Sequence, residues 1–342
     1  MNYSVTHRIL KLFLMVVGLT LTANAGERYS GGSGNWNGIT WYSNQARTVV
    51  SVLPGANDTV YIGNNDSVSF NLTTTIYKLV INDDATSAIL EIGNNATART
   101  LTINSALILN SGGTIQAGGT STNHTISVGG DLQNSGNLDC ETASAGINIT
   151  FGGGIKCVIS GSGTWDTRGL TFNKSAASDS VINRSSAFSQ SVDGSYSATW
   201  TRGIYSHEVT DTVKMGQGNT TISANMTINM VTGGMYLSDG TVTATPTTTL
   251  QGTLKIQGGQ VNVSYNNTAT GHYQALDLTV ATSTLVVTGG TLNIGGTTEY
   301  GNLRLANPSA SVTINGASAT VNAQRYVQNP GSAGASFTIS AG

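Results

Sequence analysis

The chain alternates short apolar runs with short polar turns. Residues 78–81 (KLVI), 88–92 (AILEI) and 99–103 (RTLTI) are strand-like, and the turns NDDATS and GNNATA separate them. Val, Ile and Thr favour strands, whereas Gly and Asn favour turns. No segment after residue 25 shows the sustained periodicity of an amphipathic helix. The pattern therefore predicts an all-β protein built from many short strands.

A Gly-Gly turn recurs at longer intervals, and its copies lie at residues 112–113, 233–234, 258–259 and 289–290. Counted on the second glycine, the last three copies are 259 − 234 = 25 and 290 − 259 = 31 residues apart. Strand-and-turn repeats of this length are typical of solenoids, propellers and arrays. The fixed signature of propeller blades is absent, and so are the linkers of a sandwich array. The sequence predicts a right-handed parallel β-helix, or β-solenoid.

The N-terminus has the features of a secretory signal. A positive start at Arg8 and Lys11 precedes the apolar run 12–21 and the A-x-A site at residues 23–25. The run is too short to span a bilayer, and no second apolar run of spanning length follows. We therefore expect a signal peptide over residues 1–25 and no transmembrane segment in the mature chain. We further expect a capping segment over residues 26–70 and solenoid repeats over residues 71–342, continuing or uncapped at the C-terminus.

The composition narrows the choice of partners. Charged residues make up 9% of the chain and the formal net charge is −2, against about 25% charged residues in ordinary globular domains. No Lys/Arg cluster is present, and a mildly acidic surface repels phosphate backbones. The composition argues against nucleic-acid binding.

The first part of the predicted mature chain follows a recognisable order. The stretch SGNWNGITW leads into LPGANDTVYI, and the positions that carry the pattern are Trp36, Trp41, Pro54, Ala56, Asp58, Val60 and Ile62. This order resembles the start of bacterial surface β-helix proteins, namely autotransporter passengers and filamentous-haemagglutinin-like adhesins. The resemblance implies a secreted protein at the bacterial cell surface that contacts glycans or other surface proteins.

Residues 31–36 (GGSGNW) allow three interpretations. The calcium-binding nonapeptide needs Asp where Trp36 stands, and no tandem copy follows. The second interpretation is a cap, because a solenoid must close its open end and Trp36 and Trp41 are bulky enough to cover it. The third is adhesive: the two rings stack on sugars.

Two further tryptophans are candidates for glycan contact. Trp165 and Trp200 recur in similar surroundings, TWDTRGL and TWTRGI. If stacked coils bring them to one face, their flat rings would form a platform for sugars. The alternative is that they fill corners of the core.

The two cysteines, Cys140 and Cys157, lie 157 − 140 = 17 residues apart. Secretion permits a disulfide, and neighbouring coils would bring the two residues to about the right distance. The alternative is two buried thiols that fill space in the core.

Catalytic groups are scarce. The richest local cluster is His207-Glu208 with Asp211, and its spacing matches no catalytic motif. We therefore expect no enzyme activity, no catalytic or metal-binding residues and no cofactor. The expected function is a non-catalytic adhesin-like or structural module. The alternatives are a fibre subunit that associates end to end, and a polysaccharide lyase or hydrolase.

Overall fold

The computed structural model describes residues 25–84, 86–93, 96–119, 122–142, 146–189, 197–216, 218–238, 247–263, 273–295, 301–323, 325–328 and 336–340. The predicted signal peptide lies outside these residues except for Ala25. All regular elements in the described ranges are β-strands. They are β1 Glu27–Ser30, β2 Gly34–Asn35, β3 Trp41–Tyr42, β4 Val50–Ser51, β5 Thr59–Ile62, β6 Ser67–Phe70, β7 Thr74–Ile76, β8 Lys78–Ile81, β9 Ala88–Ile92, β10 Thr100–Ile103, β11 Leu107–Leu109, β12 Gly113–Ala117, β13 His124–Val128, β14 Leu132–Asn134, β15 Asn137–Asp139, β16 Ile147–Phe151, β17 Cys157–Ser160, β18 Thr164–Asp166, β19 Gly169–Asn173, β20 Ser180–Asn183, β21 Thr199–His207, β22 Thr212–Lys214, β23 Thr220–Met230, β24 Gly234–Ser238, β25 Thr248–Leu250, β26 Thr253–Ile256, β27 Gln260–Val263, β28 Tyr273–Leu278, β29 Thr284–Val287, β30 Thr291–Ile294, β31 Gly301–Leu305, β32 Ser311–Asn315, β33 Thr320–Asn322, β34 Arg325–Gln328 and β35 Ser336–Ser340.

The strands stack as a parallel coil. One sheet of 24 strands contains two rows, which join at the long strands β21 and β23. A third side of the coil is a six-stranded sheet from β2 to β18, and a separate five-stranded sheet follows it from β22 to β33. The predicted all-β parallel β-solenoid is confirmed. The right-handed sense of the coil stays a prediction.

Inward side chains form ladders along the coil. In the row through β7, β10 and β13, each inward residue lies in register with one of the next strand and has no exposed surface. Burial of such aliphatic side chains supplies about 25 cal/mol per Å² of apolar surface. This ladder consists of Ile76, Ile103, Val128, Phe151, Phe172, Trp200, Ile222, Leu250, Leu278 and Leu305.

Glycines form a column at one corner of the coil. Gly233, Gly259 and Gly290 have φ angles of 72°, 70° and 72°, a region that favours glycine. A Cβ on Gly259 would lie 2.3 Å from the carbonyl oxygen of Gly233, and one on Gly290 would lie 2.3 Å from that of Gly259. The repeated Gly-Gly turn therefore provides both the backbone conformation and the close approach that stacking requires.

Parallel stacking begins close to the N-terminus. β1 pairs in parallel with β5, and β2 pairs in parallel with β6. Antiparallel pairing at this end joins β1 to β3 and β3 to β4. The segment predicted as a cap over residues 26–70 therefore already contains parallel strands, and its bounds stay a prediction.

Candidate functional site

A shallow groove lies on the outer face of the large sheet and has a volume of about 400 Å³. The residues that line it lie in, or directly before, four consecutive strands of one row, namely β8, β11, β14 and β17. The lining residues are Lys78, Ala106, Ile108, Asp131, Gln133, Val158 and Ser160.

The register of the strands explains the hollow. Leu79 donates a backbone hydrogen bond to Ala106, and Leu107 donates one to Asp131. Lys78, Ala106 and Asp131 therefore follow one another along the outer face, one strand apart. Ala106 has the smallest side chain of the three, so it leaves open space between the two charged ones. Two steps of about 4.8 Å place the backbones of Lys78 and Asp131 roughly 10 Å apart.

The two charged residues differ in how they are held. Asp131 is exposed, and its Oδ1 accepts a hydrogen bond of 2.8 Å from the backbone N–H of Val158. Lys78 is half-buried and has no salt bridge with any described carboxylate. The groove thus presents a fixed carboxylate and an ammonium group without a counter-ion, on either side of Ala106.

An aromatic stack continues the same outer face towards the N-terminus. The rings of Tyr29 and Tyr61 are parallel within 8°, and their centroids are 4.6 Å apart. Both hydroxyls donate to the carboxylate of Glu27, at 2.9 Å from Tyr29 and 3.3 Å from Tyr61. Burial, followed by the hydrogen bond and charge of Glu27, raises the pKa of Tyr29. The stacked rings cover each other's faces, and neither residue lines the groove.

Trp36 and Trp41 lie in the core and are not exposed platforms. Trp36 is 0% and Trp41 is 2% exposed. Their centroids are 4.8 Å apart, and Trp36 makes an edge contact with Phe70 at 5.3 Å. Trp41 Nε1 donates a 2.9 Å hydrogen bond to the Trp36 carbonyl. The adhesive interpretation of these rings is wrong, because neither can contact an external sugar. The capping role of the two rings stays a prediction.

Trp165 and Trp200 do not form a common platform. Trp200 is fully buried and stacks on Phe172 at 4.4 Å. Trp165 belongs to the six-stranded sheet, whereas Trp200 belongs to the large sheet. Trp165 is half-buried in register with Leu138, and its ring packs against Phe188 at 4.9 Å. The similar sequences around the two tryptophans thus occupy different walls of the coil, and the predicted glycan contact is wrong for Trp200 and unsupported for Trp165.

Cys140 and Cys157 are free thiols buried in the core. Of the two alternatives that the sequence left open, the structure has no disulfide and shows two space-filling thiols. Burial raises the pKa of the Cys157 thiol to about 12 and also raises the pKa of Cys140. Neither thiol is a nucleophile at neutral pH.

His207 serves the fold instead of acid–base chemistry. Its side chain is fully buried; Nε2 lies 3.0 Å from the carbonyl oxygen of Asp211, and Nδ1 lies 3.1 Å from Asn183 Nδ2. Glu208 instead forms a 2.9 Å salt bridge with Arg184. Across the described ranges, no three His, Cys, Asp or Glu side chains are placed to hold a metal ion.

Sequence reasoning missed the groove, although the chain carried a signal for it. Val80, Ile108 and Val158 occupy outward positions, where the alternating pattern predicts polar residues. The uninterrupted apolar runs LVI at 79–81 and ALIL at 106–109 were the visible sign of this departure. The position of Ala106 between two charges could not be found without the register.

Comparison with known proteins locates one repeat family in the chain. Residues 41–136 match the family model described as a haemagglutinin repeat. No curated protein and no solved structure matched the chain. In the described residues, no helix is long and apolar enough to cross a membrane. The matched segment includes Lys78, Ala106 and Asp131 of the groove, and it confirms that this part of the solenoid consists of filamentous-haemagglutinin-like β-helix repeats.

Proposed function

We propose that the protein is a non-catalytic, adhesin-like module, secreted to the bacterial cell surface, and that it contacts surface glycans through the groove around Ala106. The haemagglutinin repeat supports the adhesin-like class. The signal features of residues 1–25 support secretion.

The observation that carries the proposal is the groove itself. It is an open groove with a volume of about 400 Å³, lined by three apolar and four polar side chains. Ligand sites usually combine apolar walls with a small number of fixed polar groups. Because the coil repeats along its axis, such a face can accommodate an extended ligand running across successive strands.

The test is binding of the purified chain 26–342 to a glycan array, beside the variant Ala106→Leu. The leucine fills the hollow without entering the core, so we expect it to abolish binding. Thr313→Leu is the matched control, because Thr313 is also a half-buried outward residue on a strand of the same row. Binding by the parent that both variants retain would place the site elsewhere, and no binding by any of the three would contradict glycan contact.

A second candidate function is end-to-end self-association. Phe337 and Ile339 lie in register with the core residues Val312 and Ile314, yet they are 37% and 67% exposed. Two exposed inward positions on one strand offer an apolar surface on which another coil could stack.

Analytical ultracentrifugation over a wide concentration range tests this second candidate. We expect the wild-type chain to form species larger than a monomer and the double variant Phe337→Ser/Ile339→Ser to remain monomeric. A wild-type chain that is monomeric at the highest concentration would exclude assembly through this surface.

A further inference from the structure

We propose that the groove selects an anionic sugar residue, whose acidic group pairs with Lys78 Nζ while its hydroxyls donate to the carboxylate of Asp131. The inference rests on the proposed function and adds the ligand class to it. Three features of the groove carry the inference: the charge at Lys78, the paired backbone of the sheet, and the fixed carboxylate of Asp131.

Lys78 is the natural partner for the anion. No described carboxylate forms a salt bridge with it, although an ammonium group has three hydrogens to donate. The acidic residues on the same row are Glu27 and Asp131, each two strands away from Lys78. The Glu27 carboxylate is already bound by two tyrosine hydroxyls. These carboxylates would repel an anion bound at Lys78 from a distance of roughly 10 Å. Over that distance the repulsion is weak in water and is screened by salt.

The sheet favours a saccharide over a peptide. Peptides commonly bind to sheets by adding a strand at an edge, where main-chain groups are unpaired. β11 pairs with β8 on one side and β14 on the other, so the backbone beneath the groove is already bonded. Only side chains are offered to a ligand here. Ala106 and Ile108 lie next to each other on the outer face, and their apolar side chains suit the C–H face of a sugar ring, which is the apolar part of a polar molecule.

Asp131 has a fixed position for accepting hydroxyls. Its Oδ1 is held by the backbone N–H of Val158 at 2.8 Å, which orients the carboxylate. A carboxylate accepts several hydrogen bonds, and sugar hydroxyls can donate them. Gln133 and Ser160 line the same wall and can both donate and accept. The charge order, ammonium first and carboxylate second along the axis, gives the ligand one preferred direction.

The probes are matched pairs that differ in charge: trigalacturonic acid and its methyl ester, and lactose with a sulfated or sialylated form. Binding is measured by titration calorimetry at low and high salt. We expect the anionic member of each pair to bind roughly two- to fivefold more tightly at low salt, which is the range of a half-exposed ion pair. High salt should remove this advantage. A preference shown by the carboxylated probe but not the sulfated one, or the reverse, would identify the acidic group.

Two variants separate this inference from the proposed function. Lys78→Met keeps the aliphatic stem and should abolish the preference for anions while neutral sugars still bind. Asp131→Asn keeps an acceptor for the Val158 N–H and should weaken the acidic and neutral members equally. Loss of all binding with Ala106→Leu, together with no anion preference in the wild-type chain, would overturn the inference and leave the proposed function intact. Absence of any sugar binding would overturn both.

Discussion

Trp200 lies in the core between Phe172 and Ile222, with neighbours in register on both sides. Its ring is parallel to that of Phe172 within 6° and meets Tyr205 at 69°. Offset-stacked and edge-to-face contacts of this kind add to the gain from burial. At the scale of a single residue, the position in a ladder therefore decides what an aromatic side chain does, and a short sequence around it does not.

We expect Trp200→Ala to destabilise the protein by about 3–5 kcal/mol, because it removes the largest member of a filled ladder and leaves a cavity. The free energy of unfolding from urea denaturation checks this. Trp165→Ala is the comparison, and its half-buried ring should cost clearly less. Equal losses in the two variants would contradict the difference in burial between the two rings.

His207 couples the fold to pH. The Asp211 carbonyl can only accept, so Nε2 carries the proton and Nδ1 accepts from Asn183. Burial lowers the pKa of His207, despite the opposing effect of Asp211. The unfolded chain therefore takes up a proton first, near pH 6.5, and stability is lost as the pH falls from there towards the lower folded-state pKa.

We expect His207→Gln to reduce this loss of stability between pH 7.5 and pH 5. Urea denaturation at several pH values measures it. His124 remains in the variant, and burial together with Arg99 lowers the pKa of this histidine as well, so part of the pH dependence should persist. Identical pH profiles for the two proteins would show that His207 does not contribute.

At the scale of the element, the glycine corner sets which strands pair. Gln260 donates a 2.7 Å hydrogen bond to Gly233, and Thr291 donates one of 2.8 Å to Gly259. The glycines in register are therefore Gly233, Gly259 and Gly290, whereas the sequence repeat alone aligns Gly234 with the latter two. The Gly-Gly pair is ambiguous by one residue, and only the φ angle shows which glycine forms the corner.

Gly259→Ala should destabilise the protein by about 1–3 kcal/mol, because it combines a positive φ with a clash against the Gly233 backbone. Thermal and urea unfolding provide the measurement. Gly119→Ala is the control, since a Cβ there meets no atom within 4 Å. A neutral Gly259→Ala would mean that the corner can relax, and stacking would not depend on glycine there.

At the scale of the whole molecule, ladders of non-covalent contacts hold the coil together. Parallel pairing runs without a break from β5 through β8 and β11 to β14. Cys140 and Cys157 are unbonded in this arrangement. Stability should therefore be independent of the redox state of the solution.

We expect the melting temperature to be the same with and without reductant. Iodoacetamide at neutral pH should modify neither cysteine in the native protein and both after denaturation, since burial raises the pKa of each thiol. Mass spectrometry of the alkylated protein counts them. A reductant-sensitive melting temperature, or a denatured chain that resists alkylation, would indicate a disulfide after all.

The sequence was sufficient for the architecture because strand alternation and glycine turns are local signals. KLVI and AILEI became β8 and β9, with the inward residues Leu79 and Ile92 buried. The site depends instead on which residues of distant strands become neighbours. Ala106 contributes to the groove only because it lies between Lys78 and Asp131, which are 28 and 25 residues away in the sequence. Turn lengths that vary from coil to coil determine this register, and no local pattern encodes it.

On the third side of the coil, the six-stranded sheet ends at β18 and the five-stranded sheet begins at β22. The described residues between these two strands add strands only to the large sheet. From β7 to β18, each turn of the coil contributes one strand to each of three walls, so an inserted strand there would have to be matched on all three. Between β20 and β21, a change of length disturbs one wall that is already interrupted, where Phe188 covers Trp165. This junction, which begins one strand beyond the groove strand β17, is where a foreign peptide or a label can be grafted without adding residues between the strands that form the groove.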